Sequence, residues 1–96
     1  MGATPVNARV VIDRNRITGA GVTAGLDFGL QLASVLRNQK MAQGLQLSFE
    51  YDPQPPYKSG TPQSAPADIT QMVTVMYAPV HSQMRTSAMN ASREWK

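Results

Sequence analysis

The stretch from Thr23 to Arg37 constrains this chain more than any other. Its polar residues are Asp27, Gln31 and Ser34, spaced by four and three, and they make one narrow stripe. Leu26, Phe28, Leu30, Leu32, Ala33, Val35 and Leu36 fill nearly everything else. The spacing predicts a helix that starts near Val22 or Thr23 and runs to about Leu36 or Arg37. A helix apolar around most of its circumference needs cover on several sides. A chain of 96 residues has little to cover it with, because so small a domain buries only roughly 60–65% of its unfolded surface. The helix therefore reads as part of something larger.

The segments before it predict a β-hairpin. Val10, Val11 and Ile12 are three consecutive β-branched residues in Ala8–Asp13, and they favour a strand. Arg14-Asn15 reads as a tight turn, with Asn tolerating positive φ, and Arg16-Ile17-Thr18 as the return strand. Gly19-Ala20-Gly21 then permits a sharp change of direction into the helix. Thr23 is the expected N-cap, and Asp27 is expected to serve the positive end of the helix dipole.

Residues 38–51 fit two periods. Met41, Ala42, Leu45 and Phe49 suit a helix, whereas Leu45, Leu47, Phe49 and Tyr51 alternate as in a strand. Periodicity leaves both open. Glu50 with Tyr51 and Asp52 is expected to hold the loop that follows. From Asp52 to Pro66, five prolines and Gly60 predict an extended connecting loop, with polyproline II character. It lacks the basic residue placement of an SH3 ligand. Asp68 and Gln71 resemble a capping box ahead of Ile69, Met72, Val73, Met76, Val80 and Met84, which recur at helical spacing. This predicts an amphipathic C-terminal helix, interrupted or kinked near Pro79, with a polar tail that frays from Thr86 onward. The expected organisation is one partial domain over residues 1–96. It comprises a hairpin and Gly-rich turn (2–22), helices (23–51), a Pro-rich loop (52–66), and a C-terminal helix with its tail (67–96).

Composition removes several kinds of chemistry. There is no cysteine, hence no disulfide framework, thiolate zinc site or cysteine nucleophile within these residues. The N-terminus lacks the pattern of a signal peptide, and no apolar run could cross a bilayer. A soluble cytoplasmic protein with no membrane partner is the expectation. The net charge is +3 and the pI about 9.7. Yet only Arg14 and Arg16 cluster, with no aromatic interleaved to stack on bases. A solvated surface explains these charges better than nucleic-acid binding does.

No catalytic constellation emerges from the residues alone. His81 is the single histidine and has no further metal ligand spaced near it, so a surface or helix-packing role is expected. Asp27 and Glu50 lie on apolar segments, but their spacing does not argue for an acid–base pair. There is no G-x-S-x-G elbow. Gly19–Gly25 is glycine-rich and enters a helix, a geometry that can present N–H groups to an anion, but it is not a dinucleotide fingerprint. The Met72, Met76 and Met84 stripe is core packing or an adaptable partner surface, a dimer interface among the possibilities.

Two stretches in combination carry a family resemblance. The first is Gly2–Val6 with Arg9–Leu30, which contains Asp13-Arg14-Asn15, Ile17-Thr18, Gly19-Ala20-Gly21-Val22-Thr23-Ala24-Gly25 and Asp27-Phe28-Gly29-Leu30. The second is Gln46–Tyr57, with Glu50-Tyr51-Asp52-Pro53-Gln54-Pro55-Pro56. Together they resemble the C-terminal part of ThiJ/PfpI superfamily proteins (class I glutamine amidotransferase-like) of the isonitrile hydratase type. The resemblance implies the C-terminal portion of an α/β flavodoxin-like sandwich, in this chain a hairpin followed by about three helices. It favours helix over strand at 38–51. It implies a homodimer, no cofactor, and a reaction that adds water to an isonitrile to give an N-substituted formamide.

That chemistry depends in the family on a cysteine at a strand-to-helix elbow, assisted by an acidic residue. Neither maps onto a position here, so no catalytic residue is assigned. By resemblance, Gly19, Ala20, Gly21, Val22 and Thr23 form the loop beside the cysteine and would be pocket wall. An isonitrile would bind only with the remainder of the domain present, and the chain alone is expected to be inactive. An oligomerisation module derived from the family is the alternative. Exposed apolar helix faces lead to the expectation that the chain self-associates, as a homodimer or a larger assembly.

Overall fold

The computed structural model describes residues 2–94. Its elements are strands β1 (Val10–Asp13) and β2 (Arg16–Gly19), followed by helices α1 (Ala24–Leu36), α2 (Gln39–Ser48) and α3 (Ala67–Glu94). The described residues divide into two compact units, one of Ala3–Pro53 and one of Gly2 with the residues from Gln54 onward.

In the first unit, β1 and β2 pair antiparallel, with Val10 opposite Gly19 and Asp13 opposite Arg16. The Ala20 N–H donates to the Arg9 carbonyl at 2.9 Å and carries the ladder one step further. The two-residue turn takes its positive φ at Arg14 (56°), not at the expected Asn15. A two-residue hairpin loop needs that conformation at its first central position to match the twist of the strands. Asp13 compensates in part by accepting hydrogen bonds from the Arg14 guanidinium.

Helix α1 begins where the sequence places it, but Thr23 does not cap it. Thr23 is already helical (φ −74°, ψ −20°), and its side chain makes no capping bond. The backbone supplies the acceptors instead. The N–H groups of Ala24, Gly25 and Leu26 donate to the carbonyls of Gly21, Val22 and Thr23. Tight i→i+3 turns of this kind satisfy the otherwise orphaned first amides of a helix.

Residues 39–48 are helical, and Asn38 decides the matter. It is extended (φ −168°), and its side-chain Oδ1 accepts the Met41 N–H at 2.8 Å. This N-cap commits the segment to a helix. The far end of α2 closes in a Schellman turn. Tyr51 N–H donates to the Gln46 carbonyl (3.1 Å) and Glu50 N–H to the Leu47 carbonyl (3.0 Å). Glu50 sits in the left-handed region (φ 51°), where glycine is the usual occupant. Leu45, Leu47, Phe49 and Tyr51 alternate in sequence without forming a strand.

The packing of this unit is thin. Among the described residues only Ala24 and Ala42 are buried. Gly19 lies against Phe28, and a Cβ there would meet the Phe28 ring and Cβ at 3.6 Å. The outward apolar residues of α1 stay uncovered, and Leu36 is 70% exposed. The sequence-based need for outside cover is therefore unmet within the unit.

In the second unit the Pro-rich segment is irregular rather than uniformly extended. Thr61 and Ser64 fold it into a reciprocal turn: Thr61 N–H donates to Ser64 Oγ and Ser64 N–H to Thr61 Oγ1, both at 3.1 Å. Helix α3 then runs 28 residues. Asp68 stands inside its first turn rather than at the cap, so no capping box forms and Asp68 acts on the dipole instead. The Pro66 carbonyl accepts the Thr70 N–H.

Pro79 does not interrupt α3. The helix continues through it even though a proline in a helix interior removes one backbone donor and crowds the carbonyl four residues earlier. The stretch from Thr86 to Glu94 is helical and not frayed, with Thr86 and Ser92 hydroxyls returned to the carbonyls of Ser82 and Met89. The remainder of the expected tail, Trp95 and Lys96, lies outside the described residues. None of the residues of α3 is buried.

Replacing Glu50 with glycine removes the left-handed Cβ penalty. It is expected to raise stability by about 1 kcal/mol, read from the midpoint of urea unfolding.

Candidate functional site

A polar cluster that joins separate elements is built on Asp27. Arg9 lies just before β1, Asp27 in the first turn of α1, and Tyr51 just after α2. Arg9 Nε donates to Asp27 Oδ2 and the Tyr51 hydroxyl to Asp27 Oδ1, each at 2.5 Å. Both carboxylate oxygens are thus engaged by different segments. The local reasons are visible in each segment. The hairpin register brings Arg9 beside Ala20, the tight helix entry fixes where Asp27 emerges, and the Schellman turn at Glu50 returns Tyr51 toward α1. The side-chain amide of Gln46 donates to the Tyr51 carbonyl at 3.1 Å and secures that return.

The electrostatics follow from these bonds. The Tyr51 hydroxyl, and then the Arg9 guanidinium, hold the Asp27 carboxyl below its ordinary pKa. The hydrogen bond to Asp27 keeps the Tyr51 hydroxyl protonated to higher pH than a free tyrosine. The same carboxylate raises the pKa of Arg9. This is a cluster in which every proton is held in place, not one poised to transfer a proton near neutrality.

Tyr51 separates two open grooves. One is mixed in character, lined by Asp27, Gln31, Ser34, Gln43 and Gln46 together with Leu30, Ala42 and Pro53. The other, about 200 Å³, is apolar and formed by Gly25, Leu26, Gly29, Leu30, Leu45 and Phe49 with Tyr51. The expected wall residues divide. Gly19 and Ala20 line a shallow hollow of about 200 Å³ with Thr4, Pro5, Val6, Ala8, Val11 and Thr18. Gly21, Val22 and Thr23 lie outside it. Val22 is 99% exposed, and a Cβ on Gly21 would meet nothing within 4 Å. Within this chain the turn is therefore an open edge.

His81 is exposed and stacks on Tyr77 one turn earlier along α3, with ring centroids 6.2 Å apart. No group of three or more His, Cys, Asp or Glu side chains is arranged to hold a metal among the described residues. No helix among them is long and apolar enough to cross a membrane.

No family model matches the chain. Individual proteins do. It is 47% identical over 79 residues, 82% of its length, to isonitrile hydratase from Pseudomonas putida. It shares 54% identity with a ThiJ/PfpI family protein from Pseudomonas syringae of known crystal structure, with a TM-score of 0.78 over 81% of the chain. The chain belongs to the ThiJ/PfpI family. It spans about a third of these relatives, 35% of the first and 32% of the second. The hairpin and three helices are thus a portion of the ThiJ/PfpI α/β fold.

Sequence reasoning missed the Arg9–Asp27–Tyr51 cluster of this ThiJ/PfpI segment. Asp27 stands out in the sequence as an acid on an apolar helix, which points to the dipole. A search for two complementary partners on neighbouring segments would have found Arg9, but Tyr51 needed the turn geometry.

The cluster predicts a pH window for stability. The lowered Asp27 pKa contributes stability that is complete above an ordinary carboxylate value of about 3.9 and is lost as pH falls through the folded value. The raised Tyr51 pKa contributes stability that is complete below about 10 and is lost as pH rises through its folded value. Asp27→Asn should flatten both limbs of a plot of unfolding midpoint against pH. It should also return the Tyr51 ultraviolet titration toward that of free tyrosine. An unchanged tyrosine titration would contradict the assignment.

Proposed function

We propose that this chain contributes one wall of an isonitrile hydratase-type site whose nucleophile comes from polypeptide outside these 96 residues. The 47% identity to isonitrile hydratase over most of the chain carries this reading. The reaction adds water across the isonitrile carbon, R–NC plus H₂O giving R–NH–CHO. In covalent catalysis it needs an activated nucleophile to attack that carbon. The sequence holds no cysteine, and the hydroxyl of Tyr51 is committed to Asp27. What the chain offers is shape. The Gly19–Thr23 turn would border the pocket, and the cluster at Asp27 would hold that turn steady against α1.

A second reading is a non-catalytic oligomerisation module of the same family, supported by the uncovered apolar faces of α1 and α3. Adding cyclohexyl isonitrile to the purified chain tests whether the nucleophile lies outside it. The expected result is no N-cyclohexylformamide above the buffer blank by gas chromatography. Formamide production by the chain alone would mean that its own residues supply the nucleophile, and would overturn this reading.

A further inference from the structure

We infer that Tyr51 is a positioning residue for the Gly19–Thr23 turn, acting on it through Asp27 and Arg9. The inference rests on the hydratase reading only for the role of that turn as pocket wall. The coupling itself is a property of the first unit, and its test needs no turnover.

The turn has little of its own to hold it. Val22 is 99% exposed, and a Cβ on Gly21 would meet nothing within 4 Å. The turn's far end is tied into α1, where the carbonyls of Gly21, Val22 and Thr23 accept the amides of Ala24, Gly25 and Leu26. Its near end is tied by the last rung of the hairpin, from the Ala20 N–H to the Arg9 carbonyl at 2.9 Å. The place of Arg9 therefore sets where the turn begins.

Arg9 is held in its turn by its side chain. Its Nε donates to Asp27 Oδ2, and the other oxygen of that carboxylate takes the Tyr51 hydroxyl. A carboxylate is one rigid plane on a torsion with broad, roughly two-fold wells. A single donor leaves that plane free to rotate, whereas two donors from different segments fix it. The direction in which Oδ2 faces Arg9 is thus set by Tyr51. Gly19 also lies against Phe28 of α1, but apolar contact is non-directional and does not fix the orientation of the hairpin on the helix. Neither strand packs against α2. A change at the end of α2 therefore reaches the hairpin by way of Asp27.

Tyr51 is itself a firm reference point. Gln46 grips both of its peptide groups: the Gln46 carbonyl accepts the Tyr51 N–H, and the Gln46 side-chain amide donates to the Tyr51 carbonyl, each at 3.1 Å. An unbroken series of bonds thus leads from α2 through Gln46, Tyr51, Asp27 and Arg9 to Ala20. Coupling over such a distance needs a contiguous physical network of this kind.

Amide hydrogen exchange in the full-length chain tests the inference. Tyr51→Phe keeps the ring and removes only the hydroxyl. It is expected to speed exchange at Ala20 about tenfold, as for the loss of one hydrogen bond to a charged group. Exchange at Arg37, bonded to Ala33 at the end of α1, is expected to stay unchanged. Arg9→Met is expected to act in the reverse direction and speed exchange at the Tyr51 amide, because coupling between two sites is reciprocal. Urea unfolding midpoints supply a second readout. The loss in Arg9→Met/Tyr51→Phe is expected to fall short of the sum of the two single losses, since both residues share Asp27. An Ala20 rate that Tyr51→Phe leaves unchanged, a rise at Arg37 equal to that at Ala20, or strictly additive midpoints would overturn the inference. Formamide formed by the chain alone would overturn the hydratase reading and leave this coupling standing.

Discussion

The carboxylate of Asp27 ties together three segments of the first unit whose shared apolar core is small. One oxygen takes the Arg9 guanidinium, from before β1, and the other takes the Tyr51 hydroxyl, from after α2. The unit buries only Ala24 and Ala42, so apolar burial, which drives the folding of most domains, is small here. The polar tie fixes where the hairpin and the end of α2 lie relative to α1. The Gly19–Thr23 turn hangs between the hairpin and α1, so its shape follows from this arrangement.

Each partner of Asp27 depends on a backbone feature with its own cost. Arg9 is placed by a hairpin whose turn puts Arg14 in the left-handed region. Tyr51 is placed by a Schellman turn that does the same to Glu50. Both residues carry a Cβ where glycine would be relaxed. Strain of this kind persists where surrounding bonds over-determine the backbone. Here those bonds are the β1–β2 ladder in one case and the paired Tyr51 and Glu50 amide bonds in the other.

The second unit meets the shortage of core differently. Its long helix is continuous, hydroxyl-bonded along its own backbone and without a buried residue. A helix this long gains little from propensity alone, and in most proteins packing supplies the stability. The exposed seam of α3 and the exposed flank of α1 have the same physical origin. This ThiJ/PfpI segment spans about a third of its relatives while keeping the apolar faces of a helix meant to be covered.

Much of this was legible in the residues. Three β-branched residues before Arg14-Asn15 determined the hairpin. The near-continuous apolar run determined α1 and its need for cover, and the 69-to-84 stripe determined α3. The combination of Gly19–Leu30 with Glu50–Pro56 determined the family. These are local patterns, set by the side-chain periods of strand and helix. The folded structure decided the rest, locally at the two helix starts and at long range at Asp27. Residues 45–49 have two valid periods, and the Asn38 cap chose helix. Thr23 could cap, but the carbonyls of residues 21–23 reached the helix amides first. Asp27 could serve the dipole or bind partners. Arg9 is 18 residues away and Tyr51 24, and no local pattern encodes a contact at such range, because it exists only once the turns between them have closed.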